Sequence, residues 1–399
     1  MVTYPEDWKA LQLKDIGNIQ MCRRIFQYQT KKNGQIPFYK IGTFGRNADA
    51  YISRELFEQF RKMYPYPSKG DVLLSAAGTV GKVVLFDGRE SYFQDSNIVW
   101  LKVDESKIDK RFLYYFYKSF PWKALEGTTI RRLYNNIILN TDIFLPPLLE
   151  QQVIASVLSD FDVHIDNLTE LIEKKKAIRA GALEDLVSGN TRLGGFDGEW
   201  ETVAFNDVIT PKARIGWQGL KKGEYLKRGY SYLIGGTDFQ RGTINLNDIS
   251  YVTKGRYEMD SNIQVEQDDV LVTKDGTIGK VALVPEISKP ATLNSGVFVF
   301  KTKERLKSIF LFRILMSSVF RDFIAILSAG STIKHLYQKD LKNFEFKIPV
   351  DVAEQQAIAQ VLTAMDEEIE SLETEKVKMM GIRKGAMDDL LTGRVRLKV

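Results

Sequence analysis

The stretch Pro146-Pro147-Leu148-Leu149-Glu150-Gln151-Gln152-Val153-Ile154-Ala155-Ser156-Val157-Leu158 opens a long helix, and its part from Glu150 recurs 204 residues later as Glu354-Gln355-Gln356 to Leu362, entered there from Pro349. After it, Ile154, Leu158, Phe161, Ile165, Leu168 and Ile172 step by fours and threes, a heptad-type seam. Ile358, Leu362, Met365, Ile369 and Leu372 repeat the seam at the same offset. Both patterns run on through Ala182 and Leu186, or Ala386 and Leu390, to Ser188-Gly189 and Thr392-Gly393. There a glycine suits the left-handed position that ends a helix. Roughly forty residues at about 1.5 Å each predict helices on the order of 60 Å long. Such a helix cannot bury its stripe alone, so the two are expected to pair with each other as an antiparallel coiled coil.

The repeat extends beyond the helices. Asp71-Val72-Leu73-Leu74-Ser75-Ala76-Ala77-Gly78-Thr79-Val80-Gly81-Lys82 returns as Asp269-Val270-Leu271-Val272-Thr273-Lys274-Asp275-Gly276-Thr277-Ile278-Gly279-Lys280. Gly127-Thr128-Thr129-Ile130-Arg131-Arg132-Leu133-Tyr134 returns as Gly330-Ser331-Thr332-Ile333-Lys334-His335-Leu336-Tyr337. The offset grows from 192 at Trp8/Trp200 to 198 at Gly78/Gly276, then holds at 204 from Glu150/Glu354 to Gly189/Gly393. Loops have changed length while the helices have not, which suggests specificity carried by loops on a fixed frame.

In each copy, short β-branched and aromatic runs alternate with turn residues and short helices. Strands are predicted at 72–75, 80–86 and 97–101, with helices at 53–63 and 109–119. The second copy predicts strands at 270–273, 278–284 and 297–301 and one helix over 306–326. The fold class is therefore α+β, two mixed α/β domains joined by two long antiparallel helices in a pseudo-twofold tandem repeat. The domains are 1–145, a helical spacer 146–190, 191–348, and a second spacer 349–399. The connector after the first helix, Arg192-Leu193 through Trp200, matches the two chain ends, Arg396-Leu397 and Pro5 to Trp8, so the layout is circular and cut once.

Composition narrows the function. The chain has 399 residues, 56 basic against 51 acidic, and a net charge of +5 that permits a nucleic-acid partner without requiring one. Cys22 is the sole cysteine, so neither a disulfide framework nor a zinc ribbon is expected, and a reducing cytoplasm fits. No signal peptide or membrane span is expected. Two isolated histidines, His164 and His335, make no convincing metal site or Cys–His pair, and no glycine-rich cofactor loop is recognisable. Gly78-Thr79-Val80-Gly81-Lys82 and its counterpart fail the phosphate-loop pattern, because Ala76 and Lys274 stand where the first glycine belongs and Val83 and Val281 where a hydroxyl does. The chain reads as non-catalytic.

The residues left over suit DNA contact. Each hairpin is expected to display a lysine beside a Gly-Thr turn: Thr79 and Lys82 in one copy, Lys274, Thr277 and Lys280 in the other. The second motif supplies hydroxyl and cationic donors at Thr128, Thr129, Arg131 and Arg132, and at Ser331, Thr332, Lys334 and His335. Tyr134 and Tyr337, after a leucine, are expected to pack inward. Glu150, Gln151 and Gln152, with Glu354, Gln355 and Gln356, are candidate partner-docking residues at the helix starts.

Over nearly its whole length the sequence resembles the specificity subunits of type I restriction–modification systems. The residues that carry the resemblance are Leu145 to Gln152, Ile348 to Gln356, the paired Gly-Thr-hydrophobic-Gly-Lys hairpins and Gly195-Phe196-Asp197-Gly198-Glu199-Trp200. The resemblance implies two target-recognition domains, each reading half of a split, asymmetric site in double-stranded DNA. It implies two modification subunits that bind S-adenosylmethionine and methylate adenine, and two restriction subunits that use ATP and Mg2+. A free-standing DNA-binding regulator, separable by the absence of a co-purifying methyltransferase, and a protein-binding scaffold are the other readings.

Overall fold

The computed structural model describes residues 4–122, 132–214, 219–328 and 335–398. By contacts the chain divides into two compact units, one of 1–170 with 374–399 and the other of 171–373. The long helices Leu148–Ser188 and Val352–Leu390 each contribute to both units. Each unit therefore holds one reader, the first part of the helix that follows it, and the last part of the other long helix.

In the first unit, Gly17–Met21, Ile98–Val103, Val72–Ser75 and Val83–Leu85 form an antiparallel sheet in that spatial order. Beside it, Ile36–Tyr39 pairs with Tyr51–Ile52 and, in parallel, with Tyr92–Phe93. Lys9–Gln12 and Asp142–Leu145 form a separate two-stranded ribbon that brings the chain to the long helix. Helices Arg54–Met63 and Lys110–Ser119 begin at Ser53 and Asp109, whose side chains accept from the first free backbone N–H groups. The core joins Val72, Leu74, Phe112 and Leu113 of the reader to Ile154 and Leu158 of the first long helix, and to Met387 and Leu390 of the second.

The second unit repeats this order. Ile209–Ala213, Val297–Thr302, Val270–Thr273 and Val281–Leu283 are neighbours in that sequence, and two short strands extend the sheet to six. Ser231–Ile234 runs parallel to Ala291–Leu293, and Trp200–Ala204 pairs with Glu345–Pro349. Here Val270, Phe300, Phe310 and Leu311 share a core with Leu183 and Leu186 of the first long helix and Ile358 and Leu362 of the second.

The expected single helix over 306–326 is two, Ser308–Met316 and Ser318–Ser328. Ser317 leaves helical geometry at φ −86°, ψ 179°, and its hydroxyl donates to the Ile314 carbonyl at 2.7 Å. Glu184 accepts from the Ser318 N–H at 3.0 Å, which satisfies the new helix start. Serine hydroxyls compete in this way with the backbone ladder, so a serine pair offers a break that hydrophobic periodicity does not reveal.

Within each unit the helix segments run antiparallel, as charge pairs along them show. In the first, Arg396 meets Glu150 at 2.6 and 2.7 Å, and Arg383 meets Asp162 at 2.6 Å. In the second, Arg192 meets Glu354 at 2.6 and 2.8 Å, and Arg179 meets Asp366 at 2.8 Å. Partner numbers fall on one helix as they rise on the other, and each pair recurs 204 residues on. The two aspartates also hold the readers. The Tyr115 hydroxyl donates to Asp162 at 2.9 Å, while Arg313, 3 % exposed, donates to Asp366 and to the Thr363 hydroxyl at 2.7 Å.

Candidate nucleic-acid interface

The two Gly-Thr hairpins are built alike to the level of single atoms. In the first, the Ser75 N–H donates to the Lys82 carbonyl at 2.9 Å and the Gly81 N–H to the Ser75 carbonyl at 3.0 Å. The Ser75 hydroxyl then crosses the turn, donating to the Thr79 carbonyl at 2.6 Å and accepting from the Lys82 N–H at 2.7 Å. In the second, the Thr273 hydroxyl makes the same two bonds, to the Thr277 carbonyl and from the Lys280 N–H. Gly78 and Gly81 lie at φ +63° and +85°, Gly276 and Gly279 at +70° and +79°. The motif is thus explained by one hydroxyl latch and two left-handed positions, which glycine adopts without strain. Thr79 and Thr277 are left exposed at the tips.

The second recurring motif closes on the first. The Leu133 N–H donates to the Ala76 carbonyl at 2.7 Å, and Arg132 bridges to Ala77; Leu336 likewise donates to Lys274 at 2.8 Å, and His335 bridges to Asp275. A third turn joins them, just before the central strand of each reader. The Asn97 carbonyl accepts from the Ala76 N–H at 2.7 Å, and that of Gly296 from the Lys274 N–H at 2.9 Å. The Ser96 carbonyl accepts from Arg132 at 3.4 Å, with Ser96 itself at φ +50°. Segments separated by some twenty to sixty residues thus form one edge in each reader.

Of the candidate residues, this edge brings together Thr79 and Arg132 in the first reader, and Lys274, Thr277, Lys280 and His335 in the second. Thr128, Thr129, Arg131, Ser331, Thr332 and Lys334 lie outside the described residues. Lys82 departs from the expected exposed lysine: it is half-buried, and its ammonium donates to the Phe44 carbonyl. Its counterpart Lys280 is exposed. Lys274 is half-buried, with its ammonium 5.6 Å from the Phe298 ring centre. The His335 Nδ1 is held by the Asp275 carboxylate, a partner not anticipated from the sequence. Ser96 and Asn97 were missed as well; the signal was their place before the central strand, where Asn294-Ser295-Gly296 stands in the other copy. Tyr134 and Tyr337 do not pack inward. They are 48 % and 54 % exposed while Leu133 and Leu336 fill the core, so the leucine is the anchor and the tyrosine faces outward.

Four of the six proposed docking residues are turned inward within their own units. Glu150, Gln151, Glu354 and Gln355 are at most 1 % exposed. The Gln151 amide donates to the Lys107 and Pro146 carbonyls at 3.0 and 2.9 Å, and its oxygen accepts from the Asp109 N–H at 2.9 Å. Gln355 makes the same three bonds with Arg305, Pro349 and Lys307, all at 2.9 Å. Each glutamine fastens its reader to the long helix, and each glutamate receives the arginine from beyond the end of the opposite helix. Burial requires such pairing for polar groups, and it leaves these side chains no surface for a partner. Gln152 and Gln356 are exposed.

Among the described residues, no cluster of three or more histidine, cysteine, aspartate or glutamate side chains is arranged to hold a metal, and no helix is long and apolar enough to cross a membrane. Cys22 is buried, which pushes its thiol up to about 12.

Residues 5–177 and 198–379 match the model of the type I restriction modification DNA specificity domain. A provisionally named type I restriction enzyme specificity subunit of Haemophilus influenzae is 51 % identical over 162 residues, 41 % of this chain and 42 % of that protein. The type I restriction enzyme MjaVIII specificity subunit of Methanocaldococcus jannaschii is 27 % identical over 99 % of this chain and 94 % of its own length. The crystal structure of the type I restriction–modification S subunit from M. genitalium has the same fold, with a TM-score of 0.62 at 17 % identity over 98 % of this chain and 97 % of that one.

Proposed function

As a member of the type I restriction–modification DNA specificity family, this chain is a DNA-recognition subunit that works with other subunits, and we propose that each reader contacts one half of a split duplex site through its three-loop edge. The observation that carries this is the duplicated assembly of hairpin turn, pre-strand turn and Arg132 or His335. Two edges of one design but different side chains suit two half-sites of different sequence. Exposed hydroxyls and cations there suit phosphate oxygens and base edges, the first fixing position and the second reading sequence.

The long helices are the proposed dock for two modification subunits, with restriction subunits joining that assembly. Support comes from residues 204 apart that remain outward: Gln152 with Gln356, and the apolar pair Ile178 and Ile382, 60 % and 45 % exposed. Such repeated positions offer two near-equivalent surfaces. S-adenosylmethionine, ATP and Mg2+ belong to those partners in this reading, and the chain supplies recognition alone.

Mapping methylated adenines in a host that expresses the chain with its modification partner tests the proposal. A motif of two short defined blocks around an undefined gap is expected. A continuous motif, or the same methylation in a host that lacks the chain, would refute it.

A further inference from the structure

A fourth loop adjoins the edge in each reader, and its outward residues differ sharply. Residues 16–48 contain Arg23, Arg24, Lys31, Lys32, Lys40 and Arg46 and no acidic residue, in a chain with 51 of them. Within that basic stretch, Gln27–Gln29 forms a single 3-10 turn that leaves Phe26 51 % and Tyr28 83 % exposed. The two rings stack on each other, with centres 5.8 Å apart and planes 9° from parallel. Water normally drives an exposed aromatic pair of this size under cover, so the pair is an apolar surface held open amid positive charge.

The loop is fixed to the edge and not loose. The Phe26 N–H donates to the Gln29 side-chain oxygen at 2.9 Å, and Lys31 exchanges backbone bonds with Tyr51 at 2.9 and 2.8 Å. Arg24 reaches Asp95 at 2.9 Å. Asp95, Ser96 and Asn97 thus hold the aromatic loop, Arg132 and the hairpin turn in succession.

The second reader keeps the frame and replaces the rings. Lys222–Glu224 forms the same turn, the Lys221 N–H donates to the Glu224 side chain at 2.7 Å, and Leu226 exchanges backbone bonds with Tyr251 at 2.9 and 2.8 Å. The Tyr225 hydroxyl reaches Asn294 at 3.3 Å, in the role of Arg24 on Asp95. By the shared clamp, Lys221 stands where Phe26 does and Gly223 where Tyr28 does.

We infer that the Phe26–Tyr28 pair is a base-contacting wedge through which the first reader recognises its half of the DNA site, while the matching turn of the second reader, with Lys221 and Lys222, grips phosphates. This rests on the DNA-reading function proposed above. Apolar rings in a cationic surround suit a partner whose charged exterior frames flat apolar bases. They can lie on a thymine methyl, or lever into a base step while the neighbouring arginines and lysines hold the phosphates on either side. Free amino groups at the other turn carry no such shape and bind any sequence.

The test compares the wild-type chain with Phe26→Ala/Tyr28→Ala and with Tyr28→Phe, each expressed with the modification partner, by methylation mapping and by duplex binding at several salt concentrations. The double variant should relax one block of the methylated motif at one or two positions and leave the other block intact. Its affinity for the cognate duplex should fall about tenfold, the scale of one lost base contact, and change less than about twofold on unrelated duplex. Tyr28→Phe keeps the ring and should keep the motif. Thermal midpoints should match the wild type, because both side chains are exposed. An unchanged motif with unchanged affinity overturns the wedge, and so does an equal loss on cognate and unrelated DNA. If the wild-type complex itself leaves no split methylated motif, the DNA-reading proposal falls and takes the wedge with it.

Discussion

Arg396 closes on Glu150 with two charge-assisted hydrogen bonds across 246 residues of sequence. The glutamate is 1 % exposed, so removal of the guanidinium would leave a buried carboxylate with no cation. Leaving one member of a buried pair alone costs several kcal/mol, and the 40 % exposure of the arginine side chain reduces that figure. Arg396→Ala should therefore destabilise the protein by about 2 kcal/mol, read as a lower urea midpoint. Arg192→Ala should act alike through Glu354, and an unshifted midpoint for both would show these pairs to be idle.

The glycines that end the long helices differ in what surrounds them. Gly189 and Gly393 lie at φ +75° and +70°, where a Cβ is strained. A Cβ on Gly393 would also stand 2.6 Å from the Pro5 ring, against 3.2 Å from Trp200 for Gly189. Each alanine substitution should cost at least about 1 kcal/mol, and Gly393→Ala should cost more. Thermal melts in that rank order are the expected result; equal melts would deny the contact with Pro5.

Acid should erase one link between the chain ends. Arg396 hydrogen-bonds Asp7 at 2.9 Å and holds its carboxyl below the usual value. The unfolded chain then takes up the proton first as pH falls. The stabilisation is complete above the ordinary carboxylate value of about 4 and vanishes once pH drops through the lowered one. Asp7→Asn should melt below the wild type at neutral pH and approach it in acid. A gap that widens on acidification would contradict the assignment.

If the helices meter the gap between half-sites, lengthening both should widen it. Residues near 188, at the end of the first long helix, are packed: Leu186 and Val187 lie in the core of the second unit. Insertions are better placed after Glu170 and after Glu373, where the compact units divide. Four residues in each helix add about 6 Å, one to two base pairs at about 3.4 Å each. Methylation mapping should return both blocks of the motif with a wider gap. Full activity with the old gap would end the idea.

The long helices and the hairpins were legible because each announces itself locally, by heptad spacing and by glycines at left-handed positions. Gln151 and Gln355 were not. A polar side chain at a helix start is usually solvated, and nothing within a few residues says that Lys107 and Asp109, or Arg305 and Lys307, will enclose it. Lys82 hides for the same reason, since Phe44 is remote in sequence. Tyr134 and Tyr337 show the limit of pattern at the other end: an apolar pair reveals that one member is buried without saying which. The site was legible as residue types and illegible as an edge, because Ser96 and Asn97 join it through backbone carbonyls that carry no side-chain signature.

The Ser75 and Thr273 latches also bear on how quickly and how faithfully a target is held. A free turn of seven residues would have to be frozen at the moment of contact, and each fixed residue costs about 1–2 kcal/mol in conformational entropy. Here a hydroxyl within the turn has already done the freezing, with no help from the ligand. Association then loses less disorder, and a mismatched sequence cannot be accommodated by letting the tip drift. Because the latch uses backbone carbonyls and N–H groups, the outward side chains can be exchanged without loosening it. The same device that stiffens recognition thus leaves its content free to change.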